Sequence, residues 1–127
     1  MLQEKEHLEI PIKGKCSEVT LYIYPESSKA KLYEEDSLST NVSKLHLVEG
    51  CSYTYECMSD DGNIYQLKSI DEIIAHHRSE RHKNEGRITT GIYVGTLPIS
   101  VFNVATKEIF GNIDIEIRST KSEYETD

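Results

Sequence analysis

Apolar and charged residues alternate without a break near the end of the chain, where Ile113, Ile115 and Ile117 are interleaved with Asp114, Glu116 and Arg118. An extended chain with this pattern has one aliphatic face and one charged face, which is the signature of a half-buried β-strand. The same period of two recurs upstream. Leu8 to Ile12 alternates around Pro11, which has no N–H to give to a ladder and so marks an edge or first strand. Val19, Leu21 and Ile23 alternate with Thr20, Tyr22 and Tyr24 and stop at Pro25 and the turn-forming Glu26-Ser27-Ser28, with Ala30 to Tyr33 as the expected partner strand. Lys44 to Val48 is a further short strand. Cys51, Tyr53, Tyr55 and Cys57 share a face opposite Ser52, Thr54, Glu56 and Met58. The turn signal Asp60-Asp61-Gly62-Asn63 then predicts a hairpin between 51–58 and 64–68.

One segment breaks the period. Ser69 with Glu72 three residues on forms a capping box, and Ile70, Ile73 and Ile74 fall on one helical face, which predicts a short α-helix over about 69–82. Strands at 88–93, 97–102, 104–110 and 113–117 are expected after it, separated by turns at Gly95, Asn103 and Gly111-Asn112. The expected architecture is mainly β: an antiparallel β-sandwich or barrel with one helix packed on it. A single domain over residues 1–127 fits the length, with Met1 to His7 as a frayed charged head.

Composition narrows the class. No apolar stretch of about 18 residues is present, and the charged N-terminus lacks the apolar core of a signal peptide, so the expected location is the cytoplasm. Cys16, Cys51 and Cys57 lack metal-type spacing and read as reduced packing residues. The net charge of −8 works against a phosphate-binding surface, which needs clustered Lys or Arg.

Candidate chemistry is sparse. His76, His77, Arg78, Arg81, His82, Lys83 and Arg87 concentrate positive charge on an otherwise acidic chain and form a candidate contact patch for an acidic partner or a phosphate backbone. Their spacing does not supply a zinc site. Asp114, Glu116 and Arg118 imitate the carboxylate pattern of a metal-dependent nuclease, but they occupy the exposed side of a strand and no distant acid is assigned. Asp60 to Asn63 lacks the later ligands of a calcium loop, and neither a nucleophile elbow nor a phosphate loop occurs. No catalytic residue, metal site or cofactor is assigned. Tyr22 and Tyr24, opposite the aliphatic side of their strand, are candidates for an exposed aromatic surface or for cross-strand packing.

The C-terminal stretch carries a resemblance. Gly111-Asn112, the alternating strand, and then Glu116, Arg118, Ser119, Lys121, Tyr124, Glu125 and Asp127 resemble the junction motif of an uncharacterised McrC-like family, restriction-endonuclease-like proteins of McrBC-type antiviral defence systems. Gly91 to Pro98 resembles that family's strand-turn segment. The resemblance covers about the last third of the chain. It implies an N-terminal, non-catalytic module that engages a partner AAA+ GTPase and couples it to a PD-(D/E)xK nuclease domain absent from these residues, with 119–127 as the start of the linker. The expected contacts are the loop 33–43 and the segment 76–87. The alternative, from a different class, is a DNA-recognition domain of a restriction system with 76–87 as its basic edge.

Overall fold

The computed structural model describes residues 2–14, 17–35, 44–69, 74–76, 84–91 and 94–118. These residues form eleven strands: β1 Leu2–Lys5, β2 Leu8–Lys13, β3 Glu18–Pro25, β4 Leu32–Glu35, β5 Lys44–Val48, β6 Ser52–Ser59, β7 Tyr65–Lys68, β8 Ile74–His76, β9 Glu85–Thr89, β10 Gly95–Asn103 and β11 Ile109–Arg118. Six of them form one sheet in the order β1-β4-β5-β11-β10-β7, and five form a second sheet in the order β2-β3-β6-β9-β8. The alternation dictates which side of each strand is inside. Val19, Leu21 and Ile23 of β3, Tyr53, Tyr55 and Cys57 of β6, and Ile113, Ile115 and Ile117 of β11 are buried in a single core shared by the two sheets.

Two parts of the expected architecture are overturned. No helix occurs among the described residues. Ile74 to His76, placed in the expected helix 69–82, is strand β8, paired antiparallel with β9 through Ile74 opposite Ile88. The rest of the expected helix, 70–73 and 77–82, lies outside the described residues. A ladder on a neighbouring strand outweighs one local capping signal. Nor is the assembly purely antiparallel or closed as a barrel, because β5 and β11 run parallel, with Ile115 opposite Leu45 and Ile117 opposite Leu47.

Strand pairing also departs from nearest-neighbour expectation. Residues 2–5, assigned to a frayed head, form β1 and pair with β4. The segment expected to pair with β3 instead contributes β4 to the other sheet, between β1 and β5. The expected hairpin of 51–58 with 64–68 is absent, since β6 and β7 lie in different sheets. Asp60 to Asn63 is therefore a corner between sheets. The Asp61 carboxylate accepts the Tyr65 hydroxyl at 2.6 Å and the Asn63 N–H at 2.8 Å, while Asp60 accepts the Glu18 N–H at 3.1 Å.

The last hairpin turns earlier than expected. Asn103 Oδ1 accepts the N–H groups of Ala105 and Thr106, and Lys107 adopts a φ of 62°, so residues 104–108 are the turn and not a strand. Gly111 and Asn112 sit inside β11, next to a register shift opposite Val101 and Phe102. The glycine is required for a close approach there. A Cβ at position 111 would lie 2.8 Å from Cγ2 of Ile12, so the glycine lets β11 come close to β2, an edge strand of the other sheet.

Hydroxyl groups tie the sheets together across the core. Tyr53, fully buried on β6, donates to the Lys31 carbonyl at 2.8 Å and accepts the Val48 N–H at 2.9 Å, so it bridges the start of β4 and the end of β5 where the two strands lie side by side. From the same strand Tyr55 accepts the Leu67 N–H of β7 at 3.5 Å. Buried Thr90 donates to the Val48 carbonyl at 2.8 Å and accepts the Cys51 N–H at 3.0 Å, which closes the passage from β5 to β6.

The Tyr53→Phe variant keeps the shape of the ring and leaves a buried N–H and C=O without their partner. It should lower stability by about 1–3 kcal/mol, read as a reduced urea midpoint with an unchanged m-value. At the corner, the Tyr65 hydroxyl and then the Asn63 N–H hold the Asp61 carboxyl well below the usual carboxylate range. A depressed folded value means that the stabilisation is complete above the ordinary carboxylate pKa of about 4 and is lost as pH falls towards the folded value. The urea midpoint of Asp61→Asn should accordingly decline less than that of the parent chain on acidification from neutrality. An identical decline would remove Asp61 from the acid response.

Candidate interaction face

The outer face of the five-stranded sheet is built by the residues that alternate with the core. On β3 these are Thr20, Tyr22 and Tyr24. On β6 they are Thr54, Glu56 and Met58, and on β2 Glu9 and Pro11. Register brings them into rows. Glu9 stands opposite Tyr22, Tyr22 opposite Glu56, and Glu56 opposite Glu85 of β9. A second row runs from Tyr24 through Thr54 to Arg87, and a third from Pro11 through Thr20 to Met58.

Three rings make a ladder along this face. Tyr22 and Tyr24 stack with centroids 6.3 Å apart and planes within 10°, and His7 stacks on Tyr24 at 5.5 Å. Tyr24 is 39% exposed and Met58 48%, so the face presents large side chains to solvent. The Tyr22 hydroxyl is held above the ordinary phenol value by loss of water contact first, and then by the negative field of Glu9 and the neighbouring Tyr24.

The basic cluster is only partly visible. His76 ends β8 with its Cα opposite Gly86, and His77, Arg78, Arg81, His82 and Lys83 lie outside the described residues. Arg87 is exposed on β9 and engaged in a two-point ion pair with Glu26, Nε to Oε2 at 2.9 Å and Nη2 to Oε1 at 3.0 Å. Of the expected contact loop 33–43, the first residues belong to β4 and 36–43 lie outside the described residues.

Of the junction motif, Glu116 lies on β11 opposite Thr96 and accepts its hydroxyl at 2.6 Å. Arg118 ends that strand, and its carbonyl accepts the Glu49 N–H at 2.9 Å. Ser119, Lys121 and Tyr124 lie outside the described residues. Asp114 is exposed opposite Pro98. No group of three or more His, Cys, Asp or Glu residues converges among the described residues. No helix among them is long and apolar enough to cross a membrane. Cys51 and Cys57 are buried in the core and neither forms a disulfide.

Sequence reasoning singled out Tyr22 and Tyr24 but not His7, Glu9 or Pro11 as their neighbours. The signal was present, because His7, Glu9 and Pro11 fall out of phase with Leu8, Ile10 and Ile12. What the pattern does not carry is that β2 lies beside β3 in a register that puts Glu9 next to Tyr22.

No family model, no curated protein and no solved structure matches the chain.

Burial pushes the Cys57 thiol up to about 12, with the adjacent Glu56 adding to the effect. A thiol that neither ionises nor meets solvent is a poor nucleophile. In the native chain Cys57 should resist an aromatic disulfide reagent at neutral pH and react fully after denaturation in concentrated guanidinium. Rapid native labelling of Cys57, located by peptide mapping, would contradict its placement.

Proposed function

We propose that this chain is a non-catalytic docking module of an McrBC-type restriction system, working in the cytoplasm to engage an AAA+ GTPase and couple it to a PD-(D/E)xK nuclease domain. The observation that carries the docking role is the exposed row of His7, Tyr24 and Tyr22 on the outer face of the five-stranded sheet. Aromatic side chains supply large contact area at low conformational cost, and a sheet pinned from its inner side displays them rigidly. The kind of partner comes from the resemblance of residues 91–98 and 111–127 to the McrC-like junction. The DNA-recognition alternative receives less support, since the net charge is −8 and Arg87 is already neutralised by Glu26.

Isothermal titration of the chain with the McrB-like GTPase subunit from the same source, with and without guanine nucleotide, tests the reading. Saturable binding is expected, and combined alanine substitution of Arg78, Arg81 and Arg87 should weaken it; unchanged affinity would remove the basic segment from the proposal. Absence of binding to the GTPase, together with duplex-DNA binding that falls steeply with added salt, would replace this reading by the DNA-recognition one.

A further inference from the structure

We draw no further inference here: the strongest candidate, the exposed row of Tyr22 and Tyr24 on the outer face of the five-stranded sheet, belongs to the interaction face already described, and nothing in the structure shows what covers it.

Discussion

The structure depends on β6 reaching through the core with hydroxyl groups. A phenol buried among aliphatic side chains is costly unless its oxygen is satisfied. Tyr53 meets that demand on the opposite sheet, with the Lys31 carbonyl and the Val48 N–H, side by side at one end of the β4–β5 pair. Tyr55, two residues on, takes the Leu67 N–H on the far edge strand of that sheet. Hydrophobic burial by itself would tolerate small slips of one sheet over the other. Directional bonds from adjacent inward positions of one strand do not.

Once β6 is fixed, its outward residues and those of its neighbours follow. β3 and β9 pair with β6 on either side, so Tyr22, Tyr24 and Arg87 come into cross-strand rows with Glu56 and Thr54. The corners reinforce this alignment. Thr90 closes the passage from β5 to β6, and the Asp61 carboxylate with Tyr65 holds the passage from β6 to β7. In the other sheet, β11 lies parallel to β5 and antiparallel to β10, so its aliphatic side is buried while Asp114 and Glu116 face outward. The carboxylates that imitate a nuclease pattern are thus the solvated side of a central strand, with Glu116 held by Thr96.

Inward and outward sets were legible in the sequence wherever the period of two persists, as in Val19 to Tyr24 and Ile113 to Arg118. Sheet membership was not. A turn signal such as Asp60 to Asn63 reports a reversal or corner without saying whether the next strand returns to the same sheet, and here it does not. The capping box at Ser69 is a local preference of limited size, and pairing of 74–76 with β9 competes with it successfully. Gly111 looked like a turn because glycine serves turns and close approaches alike, and only the position of Ile12 on another sheet distinguishes them. The aromatic part of the candidate face was readable from Tyr22 and Tyr24, whereas its acidic border needed the β2–β3 register.

The inner side of β3 and β6 is committed to the core, and their outer side is the proposed docking surface. Hydroxyl-radical footprinting of the chain alone and in the presence of the McrB-like GTPase subunit measures this most directly, because it reads side-chain exposure at tyrosine, histidine and methionine. Tyr24, His7 and Met58 should lose reactivity in the complex while exposed Ile109 and Val94, on the other sheet and its approach, keep theirs. Protection of Ile109 or Val94 with undiminished labelling of Tyr24, His7 and Met58 would contradict it.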